Sequence, residues 1–265
     1  MPFDLEAYLA RIDHDGPCDS TFETLAAVHR AHALAVPFEN LDIQIGRPIR
    51  LEVPALFDKI VARRRGGYCF EQNTLFRAAL ESLGFAAIAC EARVSSDEDP
   101  SAIRPRTHMT LVVSGADQDY LCDVGFGADG PVEPVPMDGT EVDQLGDHLR
   151  VERRGPLRVL QLLRDGAWRD QYRFLAEERH PVDFEVANWY TSTFPASRFV
   201  TTLTAQRARP EGRHVLRNLA YSVRLGQRVA SRDLSRDEVV PLLSEVFGIE
   251  LPEGSRFSAL DAPGC

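Results

Sequence analysis

The sequence has no long hydrophobic run, no paired-cysteine spacing and no excess of positive charge, and each absence excludes a class of protein. No stretch approaches the roughly 20 apolar residues that a bilayer-spanning helix requires. The start, Met1-Pro2-Phe3-Asp4-Leu5-Glu6, lacks the basic and apolar segments of a secretory leader. The five cysteines, at positions 18, 69, 90, 122 and 265, form neither a CxxC pair nor a disulfide framework. A reducing cytoplasm, in which thiols stay free, is the expected setting. The formal net charge of -10 argues against nucleic acid or anionic membrane as the main partner. It leaves a small anionic ligand open, because that answers to local charge. No phosphate-binding loop is present either: Gly125-Phe126-Gly127 extends to neither a GxGxxG nor a Walker pattern. There is no internal repeat and no low-complexity segment. What remains is an ordinary globular composition, 44% hydrophobic and 26% charged, over 265 residues. That length serves one large domain or two to three small ones.

Hydrophobic periodicity changes along the chain. Leu5, Tyr8, Leu9 and Ile12 share a helical face. Ser20 with Glu23 reads as a capping box for a second helix bearing Phe22, Leu25, Ala26 and His29. Leu56, Phe57, Ile60 and Val61 mark a third, begun near Pro54. Phe70, Phe76, Leu80 and Leu83 mark a fourth, from Cys69 to Gly84. From Phe85 the period becomes 2. Strands are predicted at 88–94, 107–113, 119–124, 149–152, 157–163 and 168–174, with a short helix at 183–190. Residues 199–206 and 215–225 read as paired strands around Pro210-Glu211-Gly212. A last helix starts at a capping box of Ser235 and Glu238 and stops at Gly248. The order predicts an α+β protein in two or three units.

Chemistry concentrates at Arg63-Arg64-Arg65-Gly66-Gly67-Tyr68-Cys69. Two glycines permit a tight turn before a cysteine that opens a helix. Unpaired N–H groups and three nearby arginines both favour a thiolate, which is how a sulfur nucleophile is made. The alternative is a small buried hydrophobe.

A nucleophilic cysteine needs a base, and the base an orienting group. His108 and Asp123 lie at the same end of the hairpin formed by 107–113 and 119–124. If Val113 pairs with Gln118, His108 stands directly opposite Asp123, whereas a one-residue slip separates them onto opposite faces. An aspartate bonded to imidazole would fix its tautomer and stabilise the imidazolium. A core histidine and a turn-forming aspartate are the ordinary alternatives. No metal is expected. His29 and His32 stand three apart, but no cysteine or acid lies beside them at zinc spacing, and they read as packed or solvent-facing. Glu39 is placed to pair with Arg65 and brace the nucleophile loop. Phe38, Phe70 and Phe126 flank the site segments and form either a flat apolar substrate pocket or core. Arg207, Arg209, Arg213 and Arg217 form a basic cluster, read as a solvated face or a receiver of a phosphorylated ligand.

Residues 36–41 (VPFENL), 65–73 (RGGYCFEQN), 106–113 (RTHMTLVV), 123–127 (DVGFG) and 188–197 (NWYTSTFPAS) together resemble the arylamine N-acetyltransferase family. Their order and spacing match from about residue 5 to about residue 250. The resemblance implies a helical bundle (1–84), a central antiparallel β-barrel-like domain (85–195) and a C-terminal α/β lid (196–265), with a cysteine-protease-like triad. It places that triad on Cys69, His108 and Asp123, the family arginine on Arg65 and the family glutamate on Glu39. It implies acetyl-CoA as acyl-donor substrate, with no permanently bound cofactor. The implied acceptor is an aromatic amine, hydrazine or N-hydroxyarylamine, reached by a ping-pong route through an acetyl-cysteine in xenobiotic metabolism. No coenzyme A contact is matched in the C-terminal third. An amide synthase of the same fold, closing a macrolactam from a carrier-bound thioester, is therefore the nearest alternative. A cysteine hydrolase and a non-catalytic binding module are more distant ones.

Overall fold

The computed structural model describes residues 3–96, 99, 102–127, 129–252 and 254–261. Its first helix, Leu5–Arg11, is capped by Asp4, which accepts from Ala7 N at 3.0 Å. The second, Phe22–Ala35, does not use the expected Ser20/Glu23 box. Thr21 is its cap and accepts from Thr24 N, while Asp19 Oδ1 accepts from the hydroxyls of Thr21 and Thr24 at 2.8 and 2.5 Å. With the cap one residue later than expected, buried Thr24 meets both Thr21 and Asp19. Thr21→Ala is expected to destabilise the protein by about 1 kcal/mol, read as a lowered urea midpoint with an unchanged slope.

The predicted third helix is a composite. An α-turn, Val53–Leu56, passes into a π-helical turn, Phe57–Ala62. The wider turn carries Lys59, Ile60 and Val61 into the interior together. The fourth helix, Cys69–Ser82, ends in a Schellman arrangement. Gly84 has φ +87, and Phe85 N and Gly84 N donate to Leu80 O and Glu81 O at 3.0 and 3.1 Å.

An eight-stranded antiparallel sheet follows. Its spatial order is Val135–Pro136, Asp119–Cys122, His108–Ser114, Ala87–Val94, Ala167–Leu175, Leu157–Arg164, Asp147–Arg154 and Val142–Gln144. It curls until Val135–Pro136 comes back beside Asp147–Arg154, a nearly closed barrel. The two shortest strands are absent from the sequence-based expectation, because two or three residues carry no alternation. The key hairpin pairs Val113 with Tyr120, two residues from the expected register, and its ladder stops at Cys122.

A second antiparallel sheet runs Phe38–Glu39, Thr204–Arg209, Gly212–Arg217, Ala220–Leu225 and Arg228–Asp233. Here the sequence reading is corrected in two places. Residues 198–201 form a helical turn capped by Ser197, so the strand starts only at Thr204. The apolar run 215–225 reverses at Asn218 (φ +51), whose side chain accepts from Leu203 N at 2.9 Å. In chain order the helix Pro181–Thr193 comes between the two sheets, and it packs on the N-terminal bundle through Phe184 against Phe70. The expected Ser235/Glu238 box is formed: Glu238 Oε2 accepts from Ser235 N and Oγ at 2.8 and 2.9 Å. Asn40 ties the N-terminal segment to this region, donating to Phe199 O and Thr202 O and accepting from Thr204 N.

Candidate active site

The segment before Cys69 is held from three sides. Phe38 forms a parallel bridge with Gly67, and Glu39 N donates to Gly67 O at 3.1 Å. A Cβ on Gly66 would lie 2.0 Å from Pro37 O, so no larger residue fits there. Gln72, one turn into the helix, donates to Gly67 O and Pro37 O at 2.7 and 3.3 Å. Tyr68 N donates to Glu71 Oε2 at 3.1 Å, and Tyr68 OH donates to Asn188 Oδ1.

Beneath the loop is a buried ion cluster. Arg65 donates to Glu39 Oε1 through Nε and Nη2 at 3.0 and 2.7 Å, as the sequence suggested, and also meets Asp42 at 3.3 Å. Lys59 Nζ lies 2.8 Å from both Asp42 and Glu71. Burial pushes Glu71 up to about 7, with Lys59 opposing and the Glu39 charge reinforcing. The expected field of three arginines on the sulfur is therefore not found. Arg65 is neutralised within the cluster, Arg63 pairs with Asp58 at the surface, and Arg64 is exposed at φ +51.

The positive partner of Cys69 is His108. Its Nε2 lies 2.6 Å from Asp123 Oδ2, and Cys69 is near enough to help raise the ring, which leaves Nδ1 for the sulfur. Burial alone would discharge the imidazole, but the Asp123 carboxylate, and then the thiol, push it up to about 10. Burial also opposes ionisation of Asp123, yet His108 and Asn73 hold its carboxyl below the usual range. Cys69 Sγ lies 3.7 Å from Thr107 O. Contact between His108 and Asp123 survives the changed register because a shift of two keeps both on one face, as diagonal neighbours. Asp123, now past the ladder, is fixed by other elements. Its Oδ1 accepts from Asn73 Nδ2 and Gly125 N at 2.9 and 3.0 Å, and its backbone N donates to His29 Nε2 at 3.0 Å. Gly125 permits this approach, since a Cβ there would lie 2.7 Å from Cys69 Cα. Phe126 and Tyr172 pack on the His108 ring with centroids at 5.1 and 4.8 Å.

The site opens on a cleft of about 750 Å³ between the barrel and the second sheet, with Asp123 buried behind His108. Cys69 and His108 line it with Phe38, Phe126, Phe199 and Arg217. Phe70 does not: it is fully buried against Tyr68 and Phe184, because position N2 of the helix points into the bundle. The predicted basic cluster is dispersed. Arg207 and Arg209 bond backbone carbonyls at 34, 247 and 246, Arg213 is buried on Asp147, and Arg217 reaches the cleft. No group of three or more potential metal ligands occurs among the described residues. Sequence reasoning missed His29, Gln72, Asn73 and Tyr172. For Gln72 and Asn73 a signal existed, since they stand three and four residues after Cys69, on its own helical face.

This arrangement has close counterparts. A family model described as N-acetyltransferase matches residues 21–256. Arylamine N-acetyltransferase of Mycolicibacterium smegmatis is 38% identical over 257 residues, spanning 95% of this chain and 94% of that protein. The solved structure of arylamine N-acetyltransferase from M. tuberculosis matches with a TM-score of 0.92 at 37% identity, over 98% of this chain and 100% of that one. That of Mycobacterium marinum arylamine N-acetyltransferase in complex with CoA matches with a TM-score of 0.88 at 36% identity, over 93% of each.

Proposed function

This chain belongs to the arylamine N-acetyltransferase family, and from that premise we propose that it moves an acetyl group from acetyl-CoA to an arylamine or arylhydrazine through an acetyl-Cys69 intermediate. The observation that carries the reading is the buried His108–Asp123 pair at 2.6 Å, with Cys69 beside the ring at the wall of a large cleft. Cys69 is the nucleophile, His108 the base and Asp123 its orienting group, with Glu39 and Arg65 supporting the loop. Phe38 and Phe126 offer the flat apolar surface that an aromatic amine fits.

The pair shares one proton, and with it on His108 Nδ1, where the raised imidazole holds it at neutral pH, the sulfur attacks the acetyl carbonyl. Backbone N–H groups at the helix start face the oxyanion. Collapse of the tetrahedral intermediate expels coenzyme A as its thiol, which takes the proton from His108. One thioester replaces another, so the step is nearly balanced in energy. An aromatic amine is weakly basic and therefore unprotonated at neutral pH. It attacks the acetyl-cysteine, loses a proton to His108 and leaves as the amide as the C–S bond breaks, regenerating the starting pair of Cys69 sulfur and protonated His108.

Intact mass spectrometry on protein mixed with acetyl-CoA alone is expected to show one added acetyl group, removed on adding aniline or phenylhydrazine. Exposed Cys18 is a competing thiol, so peptide mapping assigns the adduct to Cys69. Lys59 is the only lysine in the chain and is buried in its ion cluster. Burial raises the thiols of Cys90, to about 12, and Cys122, so both stay protonated. No adduct from acetyl-CoA would overturn the proposal and favour the amide synthase. Loss of the adduct in water at the same rate without amine would favour a hydrolase.

A further inference from the structure

His29 and His32 are fully buried on the helix Phe22–Ala35, and the reaction above uses neither. His32 is held between Tyr8 OH at 2.7 Å and Gln72 Oε1 at 3.3 Å, on the side of the nucleophile loop that Gln72 clamps. His29 reaches the other half of the site. Its Nε2 accepts the Asp123 backbone N–H at 3.0 Å, across 94 positions of sequence. The contact answers a specific need. The hairpin ladder ends at Cys122, so the next N–H has no strand partner, yet Asp123 is fully buried. A buried backbone donor without an acceptor is costly, and the peptide would turn to find one. That turn would swing the carboxylate away from His108.

We propose that His29 is a positioning residue for Asp123, its neutral ring holding the backbone at the start of the Asp123-Val124-Gly125 turn so that the carboxylate meets His108. The role rests on reading Asp123 as a member of the reacting triad. The tautomer follows from the contact, because a proton on Nε2 would set N–H against N–H. The proton is therefore on Nδ1, which faces the Val132 backbone without reaching hydrogen-bond geometry. The ring is steadied edge-on by Phe76 at 5.5 Å. Its titratable neighbours are Asp123 from the barrel and His32 on its own helix. Burial, against the weaker pull of Val132 and Asp123, lowers the ring to about 4, so it stays neutral through the working range.

The test uses single-turnover acetylation of Cys69 by acetyl-CoA, and iodoacetamide alkylation of Cys69 as a function of pH. His29→Leu, which keeps bulk and removes the acceptor, is expected to slow both about tenfold at pH 7, and His29→Gln, whose Oε1 can take the same N–H, to restore them to within about threefold. The leucine variant's alkylation profile should also move to higher pH, which a loss of packing alone would not produce. On the native protein, long-range proton–nitrogen NMR is expected to find His29 as the Nδ1–H tautomer down to pH 5. Native rates and profile in His29→Leu, or an Nε2–H tautomer, would overturn the inference. Should His29→Leu not fold, the tautomer decides. A native protein whose Cys69 neither acetylates nor reacts unusually fast would instead remove the triad reading itself.

Discussion

Asp123→Asn is expected to lower the acetylation rate of Cys69 by about three to four orders of magnitude, approaching the complete loss expected of Cys69→Ala. Asparagine has the same shape and can still accept from Asn73 and Gly125 through Oδ1. At the other position it presents an N–H where His108 Nε2 now donates. The ring must then reverse its tautomer and carry its proton on Nδ1, where no base is left for the sulfur. The charge is lost as well, so burial acts on His108 unopposed and discharges it at neutral pH. Rapid mixing with acetyl-CoA measures the rate, and a variant retaining more than a tenth of it would contradict the assigned roles. Stability carries a second signature. A raised imidazole stabilises the native state fully below its ordinary value of 6.5 and ceases to as pH rises through about 10. A depressed carboxyl stabilises it above its ordinary 3.8 and ceases to as pH falls. The stability gap between native protein and variant should thus be widest from about pH 4 to 6.5 and close toward pH 10.

The same pair marks how far the sequence can be read. Both residues were legible because a hairpin's period is 2: any even error in register leaves His108 and Asp123 on one face. The register itself was not legible. It depends on a loop of residues 115–118 closed by Gly115 N on Gln118 O at 2.9 Å, and the alternation tolerates either length. His29 was visible only as a histidine on an apolar helix face. Its acceptor role exists because the ladder stops at Cys122, a long-range fact that no local pattern encodes.

The arginines illustrate the opposite failure. Charge was counted by proximity in sequence, but Arg63, Arg64 and Arg65 leave the chain in three directions once residue 64 adopts positive φ. The π-turn at Phe57–Ala62 was hidden because its apolar residues fit a 3.6 period as well. In the second sheet, apolar alternation runs through the reversal at Asn218, so one strand was read where there are two. The edge strand Arg228–Asp233 is wholly exposed and has no apolar face to betray it. Segments that bury one face were read correctly, whereas those defined by a turn or by a partner from elsewhere were not.

The second large effect lies under the nucleophile. Lys59→Met is expected to destabilise the protein by about 3–5 kcal/mol near pH 8, since removing one partner strands buried charge. Glu39, Asp42 and Glu71 would face Arg65 alone, three carboxylates against one cation. The loss should depend on pH with a definite sign. Glu71 titrates at about 7 in the native state against an ordinary 4.5, so its ionisation already costs stability as pH rises across that interval. Without the ammonium its proton is held more tightly still, and the cost grows toward higher pH. Around pH 5 the protonated acid removes most of the conflict, and the variant should recover much of its deficit. Lys59→Met/Glu71→Gln should recover it at pH 8 as well, because the amide still accepts from Tyr68 N, a contact the native carboxylate makes at 3.1 Å. Urea unfolding of the single and double variants at pH 5 and pH 8 checks this. Equal losses at the two pH values, or no recovery in the double variant, would assign the cost to lost packing rather than to stranded charge. Activity should follow stability only in part. Glu71 caps the helix that Cys69 opens, so a folded Lys59→Met protein at pH 5 still presents the sulfur to His108.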